Sequence, residues 1–279
     1  MHLLSRPFRA AAAPAAGRLD ALLQQTATAS TTPGPTAVWR GTLQDGAAIT
    51  AEGIVHAELT TKYRDALTYW RRAAAGTEPS FEGGLHDVFG RWQRTRLYEL
   101  GGRLKLDRPF EPGEPLAGEL AEWCKRTRAL EIGGGPHPAV CEAAWTSAVA
   151  IDPLSDGFAA EGLLPTSAGN VTQICAPGEA IPLAAGTIDL VIAENCLDHV
   201  VDPWRVLSEI KRLLVPGGHL WLLVDLMHHR DHLHPHPFTQ DSATKMLTHA
   251  GFTFVQADIW DAHSHPEAFG QMRALLRCP

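Results

Sequence analysis

The residues whose types and spacing can perform chemistry begin with a glycine-rich segment between two acids. Glu131 precedes Gly133, Gly134 and Gly135, and Asp152 follows 21 residues after Glu131. Glycines let the backbone approach a ligand where a Cβ would intrude. A carboxylate at the end of the next strand can accept hydrogen bonds from both hydroxyls of a ribose. Together these residues predict a nucleotide site, with an ordinary tight turn and an N-cap aspartate as the alternative.

Histidines form the second group of candidate chemical residues. His199 lies in a polar segment with Asn195 and Asp198. Five further histidines are grouped later in the chain: His228, His229, His232, His234 and His236. Because histidine exchanges a proton near neutral pH, His199, His232 and His234 are candidates for a general base. An extended His-x-His-x-His segment points its middle residue away from the outer two, so we expect mostly solvated loop histidines and no bound metal.

From Arg128 onward, strand and helix signals alternate. Seven apolar runs predict strands at residues 129–132, 148–151, 171–175, 188–193, 219–224, 252–257 and 272–278. Asp202 and Pro203 predict the start of a helix that ends at Pro216, and residues 239–250 predict another. Repeated strand–helix units with short connections predict a Rossmann-like, doubly wound, mostly parallel seven-stranded sheet. In such a sheet a ligand binds beyond the carboxyl ends of the strands, near the switch point.

The chain before this sheet divides into two parts. Residues 37–125 carry apolar residues at helical spacing and predict a helical lid or substrate region, ahead of a cofactor-binding domain at residues 126–279. Aromatic stripes at this spacing are more often core than pocket, but a ring over the cleft would stabilise a cationic ligand. Three aromatic residues of these helices are therefore candidates for the substrate pocket: Tyr69, Trp70 and Trp92. Residues 1–36 predict a flexible or Ala-rich segment, with a transit peptide as the alternative.

Composition limits the partner and the compartment. The 279-residue chain has a formal net charge of −7 and no Lys/Arg block, which argues against nucleic acid as the partner. Its five cysteines include no CxxC pair and indicate reduced thiols. No apolar run reaches the ~20 residues that span a bilayer. We therefore expect a cytoplasmic protein that acts on a small molecule without a membrane partner, and the oligomeric state stays open.

Two residues narrow the identity of the nucleotide. A dinucleotide fingerprint would continue to a third glycine, where this chain has Pro138. Glu131 would repel a pyrophosphate but suits a ligand that carries a cationic amino group. Over roughly residues 126–258 the chain resembles the class I S-adenosylmethionine-dependent methyltransferase family. The segments that carry the resemblance are, in chain order, residues 131–135, Asp152, and residues 179–183, 188–191, 195–200 and 215–220.

The resemblance implies S-adenosylmethionine as the cofactor. It places Glu131 and the three glycines around the methionine moiety and Asp152 at the ribose, with Glu179 and Asn195 as further cofactor contacts. Pro177 stands where many relatives have an adenine-binding Asp, so adenine is expected against the backbone before Glu179. The implied activity is methyl transfer to a heteroatom of a small soluble acceptor. Two alternatives stay open: an intramolecular cyclase or lyase that releases methylthioadenosine, and a catalytically silent cofactor-binding partner protein.

Overall fold

A mostly parallel sheet with helices on both faces forms the centre of the structure. The computed structural model describes residues 38–39, 53–78, 81, 84–106, 114–165, 170–231, 233–261 and 265–279. Its strands are β1 (Val38–Trp39), β2 (Arg128–Ile132), β3 (Ser147–Ile151), β4 (Val171–Ile174), β5 (Ile188–Glu194), β6 (Leu214–Leu226), β7 (Thr253–Trp260) and β8 (Gly270–Arg277). Its α-helices are α1 (Gly53–Ala74), α2 (Leu85–Arg103), α3 (Gly118–Cys124), α4 (Ser155–Ala160), α5 (Pro203–Leu213) and α6 (Gln240–His249), and a one-turn 3-10 helix covers Ala139–Glu142.

The order of the strands places a switch point between β2 and β5. The strand order is β1-β4-β3-β2-β5-β6-β8-β7. Strands β1 to β6 pair in parallel, whereas β8 is antiparallel to both β6 and β7. The chain builds outward from β2 through β3 to β4 and then crosses over to β5 and β6. The predicted seven-stranded, mostly parallel sheet is confirmed, with the two-residue strand β1 as an addition at one edge.

Each face of the sheet is covered by its own set of helices. Leu130 of β2 belongs to a buried cluster that includes Leu207 of α5, together with residues of α6. Its neighbour Ala129 belongs to a second cluster, on the opposite face, that includes Leu97 of α2 and residues of α3. All seven residues of β5 are buried, as expected for a strand covered on both faces. Helix α2 is therefore a layer of the core as well as part of the region predicted as a lid.

A buried ion pair aligns the two strands at the switch point. The guanidinium of Arg128, at the start of β2, donates two hydrogen bonds of 2.7 Å to Asp189 of β5. The backbone N–H of Arg128 donates to the same carboxylate at 2.9 Å. Because three donors satisfy one buried acid, the pair fixes β2 against β5. The loops that follow these two strands are thereby held side by side.

The strand–helix alternation predicted from the sequence is wrong in detail at two places. The segment after the glycines forms only the 3-10 turn Ala139–Glu142, because fewer than a dozen residues separate the glycines from β3. The helix expected to end at Pro216 is α5, which ends at Leu213, and Pro216 lies inside β6. The backbone is already extended at Leu214, with ψ 139°, and the ladder between β5 and β6 is irregular near Ile188.

Candidate active site

The predicted cofactor residues lie together at the carboxyl edge of the parallel strands. Backbone hydrogen bonds join the neighbouring loops there. The N–H of Gly133, after β2, donates to the carbonyl of Ile151 at 2.7 Å. The N–H of Asp152, after β3, donates to the carbonyl of Ile174 at 3.2 Å. The loops after β2, β3 and β4 thus form one continuous rim at the switch point, where a ligand is expected.

The turn after β2 has a shape that only glycine fits. Gly133 has φ +68°, a conformation that other residues adopt only with strain. A Cβ on Gly133 would lie 2.6 Å from the Cβ of Cys196, and a Cβ on Gly134 would lie 2.7 Å from Oε1 of Glu131. Both distances are far below van der Waals contact. This turn, here called the cradle, therefore packs against Cys196 and Glu131 with no room for a side chain on either glycine.

Glu131 is a buried acid with one oxygen available for a ligand. It is 1% exposed, and its Oε2 accepts a hydrogen bond of 2.9 Å from the N–H of Val140. Its Oε1 has no hydrogen-bond partner among the residues that the structure describes. Burial, and next the nearby Glu194, raises the pKa of Glu131 to about 8. The N–H of Val140, at the start of the 3-10 helix, is therefore already used by Glu131.

Asp152 has both carboxylate oxygens directed at the rim. Oδ2 accepts from the N–H of Gly135 at 3.2 Å, and Oδ1 accepts from the N–H of Leu154 at 2.8 Å. Burial raises the pKa of Asp152 to about 6, against the effect of these two hydrogen bonds. The group is therefore mainly ionised at neutral pH. Each oxygen keeps a further lone pair that can accept from a ribose hydroxyl.

Glu179 and Asn195 shape the loop after β5. Oε1 of Glu179 accepts from the N–H groups of Val201 and Asp202 at 2.8 and 3.2 Å. Asn195 has a left-handed backbone with φ 50°, and its Oδ1 accepts from the N–H of Asp225 at 3.2 Å. These contacts show how the two side chains hold the loop. Contact of either side chain with a cofactor stays a prediction.

Helix α1 crosses the rim. Nζ of Lys62 donates to the carbonyl of His199, in the loop after β5. Further along α1, the ring of Trp70 lies 3.2 Å from the position of a Cβ on Gly135, in the loop after β2. Arg71 then pairs with Glu161, just beyond α4, at 2.6 Å. Helix α1 therefore lies over the loops at this edge of the sheet, and its role as a lid or substrate region stays a prediction.

Of the predicted substrate aromatics, Trp70 is the one that contacts the glycine turn. Tyr69 packs edge-on against Trp70 with ring centroids 5.1 Å apart. Trp92 joins the same cluster through Phe89, whose ring centroid lies 5.5 Å from that of Trp92 and 5.3 Å from that of Trp70. Tyr69 and Trp92 are each 41% exposed. Their role in substrate binding stays a prediction.

Two residues of α1 at the site were not among the sequence candidates. Lys62 is 9% exposed, and burial lowers its pKa to about 8 while Asp198 opposes that shift. Burial raises the pKa of Tyr63, and the charges of Glu179 and Asp152 add to the effect. The contact of Lys62 with His199 spans 137 positions of the chain. Spacing along the sequence carries no signal for a contact of that range.

Two of the three histidines predicted as bases meet at the rim. Nδ1 of His199 lies 2.9 Å from the carbonyl oxygen of Leu233. The rings of His199 and His234 have centroids 4.4 Å apart. His234 is 6% exposed, whereas His228 and His229 are exposed, as expected for most histidines of this segment. His232 lies outside the described residues.

The fold and the site together define a class of protein. A glycine cradle, a buried Glu131 and Asp152 at the switch point of a Rossmann-like sheet, beneath helix α1, fit S-adenosylmethionine. Residues 130–222 match the model of a family described as "Methyltransferase domain". This part of the chain thus has the sequence of a class I S-adenosylmethionine-dependent methyltransferase domain. The predicted family and cofactor are confirmed.

Curated relatives match this part of the chain only. A protein named as an uncharacterized methyltransferase of Mycolicibacterium vanbaalenii is 34% identical over 92 residues, which is 32% of this chain and 35% of that protein. A protein of the same name from Mycobacterium ulcerans is 33% identical over 109 residues, 38% of this chain and 39% of that protein. The chain thus covers little more than a third of the length of these relatives.

Two solved structures share the architecture. A 1,6-didemethyltoxoflavin-N1-methyltransferase of Burkholderia thailandensis, with bound 1,6-didemethyltoxoflavin and S-adenosylhomocysteine, superposes with a TM-score of 0.51 and 16% identity. The match covers 88% of this chain and 93% of that one. An S-adenosylmethionine-dependent methyltransferase of Aquifex aeolicus has a TM-score of 0.50 and 15% identity, with 76% and 98% coverage. At these identities the likeness shows the fold.

Proposed function

We propose that this protein transfers a methyl group from S-adenosylmethionine to a heteroatom of a small soluble acceptor. The observation that carries the proposal is the cradle of Gly133 and Gly134 beside the unpartnered Oε1 of Glu131, with Asp152 on the next loop. A cationic amino group at Oε1 and a ribose at Asp152 would satisfy both acids. S-adenosylmethionine offers both groups and supplies an electrophilic methyl group.

The residues around the cradle have different roles in such a reaction. Glu131 and Asp152 hold and orient the cofactor, and Trp70 of the lid covers the turn and excludes water. Alignment of acceptor and methyl group is the main contribution that an enzyme makes to a displacement of this kind. Burial, and next the charge of Lys62, lowers the pKa of His199 to about 4, so its ring is neutral at pH 7. A pKa so far below pH 7 makes His199 a weak general base, because proton transfer is most efficient when the pKa lies near the working pH.

The net charge of the chain and the helix over the site favour a small acceptor over a nucleic acid or a membrane. The net charge of −7 disfavours a phosphate backbone. None of the described helices is long and apolar enough to cross a membrane. The cysteines are free thiols, in keeping with the cytoplasmic location that we propose. The Burkholderia neighbour with 1,6-didemethyltoxoflavin bound is an example of a protein of this fold that holds a small molecule.

The products separate methyl transfer from its closest alternative. Incubation with S-adenosylmethionine and a pool of small-molecule acceptors should yield S-adenosylhomocysteine, detected by mass spectrometry, and cofactor alone should yield no product above spontaneous breakdown. We expect this because an ionised Glu131 paired with the cofactor's amino group keeps that group protonated, which suppresses internal attack. Enzyme-dependent methylthioadenosine formed without an acceptor, and lost in Asp152→Ala, would show an intramolecular reaction instead. Cofactor binding without any product would favour a silent binding protein.

The pKa of Glu131 predicts proton release on cofactor binding. Because this pKa is about 8 in the free protein, the group is mainly protonated at pH 7. An ammonium group beside the carboxylate favours the ionised form, so binding should release close to one proton, and affinity should rise with pH towards 8. Calorimetric titration with S-adenosylhomocysteine at pH 7, in two buffers of different ionisation enthalpy, measures the release. Glu131→Gln is the control and should release none; equal proton counts for both proteins would refute the pairing.

A further inference from the structure

Asp198 is a buried acid that receives no side-chain hydrogen bond from the residues that the structure describes. Its side chain is fully buried, in the loop after β5. Neither of its carboxylate oxygens has a hydrogen-bond partner among the described residues. A buried carboxylate without donors is costly, because it has lost its hydration without replacement. Such a group needs a cation or a proton nearby.

Two histidines face this carboxylate with one nitrogen each. Candidate ligand atoms of Asp198, His199 and His234 all lie within 4.8 Å of one another. Nε2 of His199 is 3.9 Å from Oδ2 of Asp198. In a loaded site, ligand atoms at ~2.0–2.2 Å from one ion would lie about 3.0–3.4 Å apart. The ligand atoms therefore have to approach one another when the ion binds.

Hydrogen bonds on the far side of each ring fix the tautomer that a ligand needs. Nδ1 of His199 lies 2.9 Å from the carbonyl oxygen of Leu233, and a carbonyl only accepts, so Nδ1 carries the proton. Nδ1 of His234 lies 3.0 Å from both oxygens of Asp231, which leads to the same assignment. In each ring Nε2 therefore keeps a free lone pair. Histidines that bind metals donate their second nitrogen to a carboxylate or a backbone carbonyl in this way.

Asp231 is itself held firmly in this second layer. Its Oδ1 accepts from the backbone N–H groups of Leu233 and His234 at 2.7 and 2.8 Å. His265 lies beside it, with Nε2 3.6 Å from Oδ2 of Asp231. The carboxylate that orients His234 is thus fixed by three donors, including the ring of His234 itself. Orientation of this kind is what a preformed ligand set requires.

We propose that Asp198, His199 and His234 form a binding site for one divalent transition-metal ion. Two imidazoles and a carboxylate suit Zn²⁺, Fe²⁺, Co²⁺ or Mn²⁺ better than Mg²⁺ or Ca²⁺, which prefer oxygen ligands. The sequence predicted no metal because it considered the histidines of one extended segment. In the structure the candidate ligands come from two loops, those after β5 and β6. The opposite directions of neighbouring histidines in one extended segment therefore do not prevent this site from forming.

Lys62 is the competing counter-charge for Asp198. Its ammonium is nearly buried, and Asp198 is the nearby charge that most favours its protonated form. It donates, however, to the carbonyl of His199, and Asp198 keeps no hydrogen bond. A metal ion and Lys62, as alternative counter-charges of Asp198, predict different effects of Lys62→Met. Loss of a neighbouring cation should tighten metal binding, whereas loss of the only counter-charge would destabilise the protein whether or not metal is present.

The metal site lies at the same carboxyl edge of the parallel strands as the cofactor cradle. Three protein ligands leave open positions on the ion, as catalytic metal sites do. A heteroatom of the acceptor that binds there would lose its proton more readily, because the ion stabilises the anion. This role rests on the proposed methyl transfer. Metal binding itself does not, and the two are measured separately.

The direct test is titration of the tag-free, chelator-treated full-length protein with Co²⁺, followed by visible absorption, and then displacement by Zn²⁺. We expect one equivalent of Co²⁺ to bind saturably. His199→Ala, His234→Ala and Asp198→Asn should each weaken binding by about tenfold or more. The matched control is His229→Ala, which removes an exposed histidine of the same loop and should leave binding unchanged. Lys62→Met should bind Co²⁺ more tightly than the wild type.

Thermal unfolding keeps the test decisive if a variant is unstable. Zn²⁺ should raise the Tm of the wild type and of His229→Ala but not that of Asp198→Asn, whose metal-free Tm should equal or exceed the wild-type value. The metal site is overturned if the wild type does not bind Co²⁺ stoichiometrically. It is also overturned if His199→Ala and His234→Ala bind Co²⁺ as tightly as the wild type. Titration of the same samples with S-adenosylhomocysteine measures cofactor binding separately, since Glu131 and Asp152 are unchanged in every variant.

Discussion

Replacing Gly133 by alanine should lower the free energy of unfolding by about 2–5 kcal/mol. The left-handed backbone at this position costs a residue with a side chain about 1–2 kcal/mol. The added Cβ would also lie 2.6 Å from the Cβ of Cys196, and overpacking of this kind costs about 1–3 kcal/mol. Urea denaturation followed by circular dichroism measures the change. Cofactor binding should fall as well, since the turn must shift to relieve the contact.

Gly102→Ala is the matched control for this substitution. Gly102 lies in α2, and a Cβ placed on it would meet no atom within 4 Å. Alanine is the better helix former, so this variant should be as stable as the wild type or more stable by up to about 1 kcal/mol. If Gly133→Ala proved as stable as Gly102→Ala, the geometry of the turn described above would be incorrect.

Replacing Asp152 by alanine should reduce the affinity for S-adenosylhomocysteine by about 5- to 150-fold, or about 1–3 kcal/mol. The variant removes the acceptor for the ribose hydroxyls and also releases the N–H groups of Gly135 and Leu154. Both effects weaken the rim that receives the cofactor. Isothermal titration calorimetry gives the dissociation constant directly. Asp152→Asn, which keeps one carbonyl oxygen, should fall between alanine and the wild type.

The control for Asp152→Ala removes a carboxylate elsewhere. Asp241, on α6, has a side chain that is 74% exposed and pairs only with Lys245 in the part of the chain described. Asp241→Ala makes the same change in net charge and should leave the dissociation constant unchanged. An unchanged constant for Asp152→Ala would remove the ribose assignment, and equal losses in both variants would indicate a general effect of charge.

The features that the sequence determined are local ones. Gly133 must be glycine because of its own backbone angle, and the apolar run of β5 is continuous because helices cover both of its faces. Such requirements are set within a few residues of chain. For the same reason the glycine turn, the strands and the family could be predicted from the sequence.

The tertiary structure decided which distant side chains meet. It placed β8 between β6 and β7, gave the first N–H groups of the 3-10 helix to Glu131, and buried His234 rather than leaving it in solvent. It also brought Lys62 and Asp198 to one rim, although they lie more than 100 residues apart. Spacing along a strand or helix fixes the direction of a side chain, but the distance between two loops depends on the packing of the whole sheet. The cofactor cradle could therefore be predicted from sequence, and the cluster around Asp198 could not.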